Sequence, residues 1–113
     1  MRRPVVKEEI VELMRQRQKQ VTGSLKELET FARKENIPII PHETVAYFRF
    51  LMETIQPKNI LEIGTAIGFS ALLMAEHAPD AKITTIDRNL EMIGFAKENF
   101  AQFDSRKQIT LLE

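Results

Sequence analysis

The chain has 113 residues, 43% of them hydrophobic, with no cysteine and sixteen Lys and Arg balanced by sixteen Asp and Glu. That is the make-up of one ordinary globular domain, and it excludes disulfides, thiolate metal sites and a cysteine nucleophile together. No apolar run approaches the roughly 18 to 20 residues that span a bilayer, and Met1-Arg2-Arg3 leads into a charged helix rather than a signal-peptide core. A cytoplasmic setting is therefore the default, and no membrane partner is expected.

The neutral total conceals an asymmetry: residues 1–35 hold nine Lys and Arg against six Glu, and the rest hold seven against ten acids. A basic start can meet phosphates, and a solvated helix face accounts for the same charges. Pro4 suits a first helical turn, and Val6, Ile10, Leu13 and Met14 recur at helical spacing as far as Gly23. Ser24-Leu25-Lys26-Glu27 has the form of a capping box, so a second helix is expected from there to about Asn36. Its apolar face would be Leu25, Leu28, Phe31 and Ala32, and its acids would be solvated.

Ile37-Pro38-Ile39-Ile40-Pro41 cannot be helical, because each proline pushes its predecessor toward extended geometry. A third helix is expected over roughly 43–56, with Val45, Phe48, Leu51, Met52 and Ile55 on one side and Pro57 as its stop. From Lys58 the pattern changes. "NILEIG" reads as a strand buried on both faces, "SALLMAEHA" as a helix, "KITTID" as a strand, "LEMIGFAKENFAQF" as a helix and "QITLLE" as a third strand. Strand, helix, strand, helix, strand is the order of a parallel α/β sheet with right-handed crossovers.

In such a sheet ligands bind outside the carboxyl ends of the strands, and Gly64 and Gly68 fall in the first of those loops. Glycine there permits positive φ and close approach of a ligand to the backbone. A dinucleotide fingerprint starting at Gly64 would require glycines where this chain has Ala66 and Phe69, so the pyrophosphate reading loses ground. Glu62 is a lone acid inside an apolar run, and its burial is costly unless donors or positive charge compensate. Asp87 ends the second strand, twenty-three residues after Gly64, where an acid can accept both hydroxyls of a ribose. It can equally cap the helix that follows. Ser70, in a first helical turn, also has a capping or solvent-facing reading.

The constellation Glu62-x-Gly64-x-x-x-Gly68-x-Ser70 resembles the first motif of S-adenosylmethionine-dependent O-methyltransferases of the catechol and caffeoyl-CoA type. The lead-in "IPIIPHETVAYFRFLMETIQPKNILEIGTAIGFSALLMA" is similar to that family as well, most of all to its bacterial branch of tRNA 5-hydroxyuridine methyltransferases. The resemblance implies that the backbone from Gly64 to Gly68 faces the methionine part of the cofactor. It further implies that Ser70 offers a hydroxyl to the cofactor carboxylate, that Glu62 lies at the pocket floor, and that Asp87 takes the ribose. Thr65 and Arg88 join the cofactor-binding set on the same ground. The acceptor implied is a hydroxyl on tRNA 5-hydroxyuridine or on a small catechol-like phenol. A nicotinamide oxidoreductase and a non-enzymatic partner- or RNA-binding module are the alternatives.

The fold expected is thus α/β, the N-terminal part of a Rossmann-like methyltransferase fold with its sheet incomplete. Residues 1–41 would form a helical cap and extended lead-in, and residues 42–113 the first half of the cofactor-binding domain. By the resemblance, a divalent metal (Mg) and its ligands belong only to the full-length enzyme, beyond Glu113, so no metal ligand or catalytic base is assigned here. His42 and His77 do not form a ligand pair, and His77 reads as a surface residue. Uncovered strand edges and apolar faces predict that the chain either forms a homo-oligomer or is the ordered remnant of a longer protein.

Overall fold

The computed structural model describes residues 23–113, so the basic helix expected ahead of Gly23 lies outside the described residues. Helix α1 spans Gly23–Lys34, α2 His42–Ile55, strand β1 Asn59–Ile63, helix α3 Phe69–His77, β2 Lys82–Ile86, α4 Leu90–Phe103 and β3 Ile109–Leu112. The three strands pair in the order β1-β2-β3, and both pairs are parallel. Leu61 lies opposite Thr84 and Ile63 opposite Ile86, while Thr84 and Ile86 face Thr110 and Leu112 on the other side. This is the parallel α/β architecture expected from the alternation of strands and helices.

Helix ends follow local chemistry. The Asn89 side chain accepts from the backbone amides of Glu91 and Met92, capping α4. Helix α2 is closed by Gln56 in the left-handed region (φ 48°), whose amide bonds to Met52 O, one residue before Pro57. The Gln56 side chain then reaches His77 O at 3.0 Å and joins the ends of α2 and α3.

Packing is concentrated on one face of the sheet. Ile67, Phe69, Leu73 and Ile83 are almost completely buried, and Leu25, Leu28 and Ala32 of α1 belong to the same core. Each fully buried side chain of this size contributes about 1.5–3 kcal/mol of hydrophobic free energy. The turn into β3 is locked by polar groups. Asp104 accepts from the amides of Gln108 and Ile109, and Gln108 Nε2 donates to Ala78 O and Ala81 O.

Several expectations need correction. Helix α1 already includes Gly23, so Ser24 sits inside the first turn rather than ahead of it. Glu29 is 2% exposed, not solvated; the Lys26 ammonium and the Arg33 guanidinium approach it at 3.1 and 3.3 Å. Ile55 is 64% exposed because the helix turns it away from the core. His77 is mostly covered, and its Nδ1 lies 2.7 Å from Glu53 Oε2, so it latches α3 to α2. β1 is not buried on both faces: Leu61 and Ile63 are exposed.

The α4 cap supplies a direct test. Asn89→Ala leaves two first-turn amides without their acceptor and should cost about 1 kcal/mol. A denaturant midpoint shift at constant slope measures it, and an unshifted midpoint would show that the cap does not stabilise this fold.

Candidate cofactor-binding site

The carboxyl ends of β1 and β2 converge, as Gly64 N–H donates to Ile86 O at 2.7 Å. Beyond this bond the chain turns through three positive φ values, 94° at Gly64, 49° at Ala66 and 91° at Gly68, before α3 begins. Left-handed backbone at a non-glycine residue costs roughly 1–2 kcal/mol, so Ala66 needs a partner to stay there. It has one: Ala66 N–H donates to Asp87 Oδ2 at 2.9 Å.

The two glycines answer different demands. At Gly64 an added Cβ would meet nothing within 4 Å, so φ alone calls for glycine and the space beside it is open. At Gly68 a Cβ would lie 2.5 Å from Phe100 Cε1. Its bare α-carbon therefore also serves packing between the loop and α4. Asn99, one residue earlier on α4, donates from Nδ2 to Ile67 O at 2.8 Å and holds the same loop.

Asp87 joins both strand tips. Besides Ala66, it accepts on Oδ1 from the amides of Arg88 at 2.7 Å and Asn89 at 2.9 Å. These donors, the Asn89 amide foremost and then Ala66, hold its carboxyl below the usual carboxylate range. The helix-capping alternative for Asp87 fails, since Asn89 performs that task. The Thr65 amide adds a further, weaker contribution, so backbone donors from both strand tips surround this carboxylate. Arg88 itself is exposed, its amide committed to Asp87.

Glu62 sits in a second network. Its carboxylate accepts from Thr85 Oγ1 at 2.7 Å and from Ser70 Oγ. A hydroxyl has one proton to give. With the Thr85 proton on Glu62, Thr65 must be the donor in the 2.7 Å contact between Thr65 Oγ1 and Thr85 Oγ1. Burial pushes the Glu62 carboxyl up; the two hydroxyls oppose this and the Asp87 charge adds to it. Ser70, its proton directed at Glu62, presents lone pairs to whatever lies beyond.

These residues border a groove of about 230 Å³, with Ile39 and Ile40 on one wall and Gly64, Thr65, Ala66 and Ser70 on the other. Ligand pockets usually enclose about 300–1,000 Å³, so the described residues make part of a site. The groove lining contains no Lys or Arg, which suits a ligand with a cationic end and hydroxyls better than a pyrophosphate. Among the described residues, no group of three or more His, Asp or Glu side chains is placed to hold a metal ion.

Of the sequence-predicted residues, Gly64, Thr65 and Ser70 line the groove, Glu62 lies against Ser70, and Asp87 is tied to the loop from the next strand. Thr85 and Asn99 were missed. Strand alternation carried a signal for Thr85, which shares a face with buried Ile83; nothing in local sequence marked Asn99.

A parallel α/β unit with acids and glycines at adjoining strand tips is the architecture of a Rossmann-like cofactor-binding fold. The sequence profile of the O-methyltransferase family matches residues 15–113, and the chain belongs to that family. A caffeoyl-CoA O-methyltransferase-type protein from Staphylococcus aureus is 34% identical with a TM-score of 0.77, over 93% of this chain and 48% of its own. The Podospora anserina methyltransferase PaMTH1, bound to SAH, superposes with a TM-score of 0.84 at 23% identity over 100% of this chain and 52% of that one. A tRNA1(Val) (adenine(37)-N6)-methyltransferase from Vibrio parahaemolyticus is 44% identical over 50 residues, 44% of this chain and 21% of its own length. The chain thus spans about half the length of the solved structures and about a fifth of the curated relative.

The packing at Gly68 can be tested by Gly68→Ala, which combines positive φ with a buried ring clash and should destabilise the fold by about 2–4 kcal/mol. Gly64→Ala, with open space, should lose only the backbone part. Equal shifts in thermal midpoint for the two variants would refute the Phe100 contact as the reason for glycine at this position.

Proposed function

We propose that this chain carries the cofactor-binding part of an S-adenosylmethionine-dependent O-methyltransferase. The observation that supports it best is the stitch between Ala66 and Asp87, which holds two acidic strand tips beside one groove. When bound, S-adenosylmethionine supplies a methyl group activated on sulfonium sulfur for attack by an acceptor oxygen. The residues fit the rest of that molecule. Glu62 and the acceptor face of Ser70 suit its ammonium, and the ionised Asp87 carboxylate suits a ribose hydroxyl. Ile39 and Ile40 exclude water from one side.

The part played by this chain is positioning and electrostatics, by which oriented groups lower the barrier without reacting. The acceptor reading is a hydroxyl on tRNA 5-hydroxyuridine, with a small catechol-like phenol second. The basic residues before Gly23 favour RNA. The Vibrio relative acts on tRNA, but its match covers too little of that enzyme to carry the acceptor over. A divalent metal, if the complete enzyme uses one, takes its ligands from elsewhere, and no step here is routed through it. A nicotinamide cofactor is disfavoured by the glycine spacing and by the family match.

Calorimetric titration with S-adenosylhomocysteine and with NAD separates these readings: binding of the first and not the second is expected. Asp87→Ala should weaken that binding at least tenfold, since a hydrogen bond to a charged group is worth about 1.5–3 kcal/mol. Binding of NAD in preference would overturn the proposal.

Glu62 predicts a pH dependence. Its carboxyl is raised in the fold, so its contribution to stability is full below the ordinary Glu value and is lost as pH rises through the raised one. Affinity for the cationic ligand runs the opposite way, falling as pH drops through the raised value. Glu62→Gln should flatten both profiles, which titrations across pH 4–8 and matching melts can measure; unchanged profiles would remove Glu62 from the site.

A further inference from the structure

Thr85 is fully buried in β2, at a position where a parallel strand usually carries Val, Ile or Leu. The register sets it directly across from Glu62. Side chains paired at one level of a sheet share a face, so the hydroxyl and the carboxylate meet side by side. Thr84, the preceding residue, lies opposite Leu61 and belongs to the other face. A buried hydroxyl is costly unless it is bonded. That of Thr85 is bonded twice: it donates to Glu62 Oε1 at 2.7 Å and accepts from Thr65 Oγ1 at 2.7 Å.

These bonds clamp the carboxylate. The last torsion of a glutamate side chain is soft, so the plane of the Glu62 carboxylate is fixed by what bonds to its two oxygens. Ser70 holds Oε2 from the groove, and Thr85 holds Oε1 from the interior. Ser70 can touch a ligand, whereas Thr85 has no exposed surface and acts on one only through Glu62. Thr65, in the glycine loop, donates into the same Thr85 hydroxyl. Loop, strand and carboxylate therefore share one atom, and each bond in such a chain polarises the next.

We infer that Thr85 is a positioning residue of the groove: its hydroxyl orients the Glu62 carboxylate for a cationic ligand and ties that orientation to the glycine loop. Its effect on a cofactor rests on the S-adenosylmethionine reading of the groove; its effect on Glu62 does not. The groups that act on Glu62 are the hydroxyls of Ser70 on α3 and Thr85 on β2, which favour the ionised form, and the Asp87 charge at the tip of β2, which joins burial in opposing it. Without the Thr85 hydroxyl, Ser70 alone offsets burial and Asp87. Glu62 then takes up its proton at higher pH, and its carboxylate is free to turn.

Two substitutions separate the hydroxyl of Thr85 from its shape. Thr85→Val keeps the shape and removes the hydroxyl; Thr85→Ser keeps the hydroxyl and removes a methyl. With the Glu62 carboxyl followed by carbon-13 NMR as pH is varied, Thr85→Val should raise the titration midpoint, and Thr85→Ser should stay with the parent. Thr84→Val, on the opposite face, should also match the parent. In calorimetric titration with S-adenosylhomocysteine, Thr85→Val should bind at least about fivefold more weakly, as expected for loss of a bond to a charged group, and Thr85→Ser should restore the affinity. Should Thr85→Val fail to fold because the Thr65 hydroxyl is left unpaired, the double variant Thr65→Val, Thr85→Val removes both partners and should show the same raised midpoint. A role in packing alone predicts the reverse order, with the serine variant shifted and the valine variant like the parent. That order, or an unmoved midpoint in both, would overturn the inference, as would full affinity in Thr85→Val when the parent binds. A parent that does not bind S-adenosylhomocysteine would overturn the cofactor reading instead, and the carboxyl midpoints would still decide the role of Thr85.

Discussion

The hydrogen bond from Ala66 N–H to Asp87 is the constraint on which the site depends. Without it, the loop after β1 would have to hold a non-glycine residue in the left-handed region unaided, at a cost of roughly 1–2 kcal/mol. With it, the acid at the tip of β2 sets the shape of the loop at the tip of β1. The same carboxylate gathers the next two amides of its own loop. One side chain therefore orients two turns that arrive from different strands, and the groove between the isoleucine wall and the glycine loop is a consequence.

Glu62 shows the converse arrangement. Asp87 is surrounded by fixed amide donors and is held ionised, whereas Glu62 is partly removed from water with only hydroxyls for company and is pushed toward its neutral form. Two acids a short distance apart thus differ in electrostatic character because their donors differ. A cationic group placed beside Glu62 and Ser70 would relieve the desolvation cost that the empty network carries. On the proposed function, that is the physical purpose of the lone acid in the apolar run.

The described residues leave parts of the sheet and groove uncovered. The groove is smaller than a usual ligand pocket, packing is concentrated on one face of the sheet, and Leu61 and Ile63 of β1 are exposed. The two strand tips are organised locally through Asp87 and Glu62.

Periodicity and glycine spacing were enough to place the helices and strands of residues 23–113 within a residue or two, because short apolar runs and helical stripes are local patterns. The parallel order of the sheet followed from strand-helix alternation, and the loop of Gly64 and Gly68 from the motif. The chain did not disclose locally that Gly68 answers to Phe100, that Glu29 is buried between Lys26 and Arg33, or that His77 latches onto Glu53. Nor did it show that Asn89 rather than Asp87 caps α4, which frees Asp87 for Ala66. Each of these is a contact between elements, or a choice between neighbouring side chains with equal local credentials, and packing alone decides it. The sequence determined which residues are able to form the site; the tertiary structure decided which of them the backbone already occupies and which remain open to a ligand.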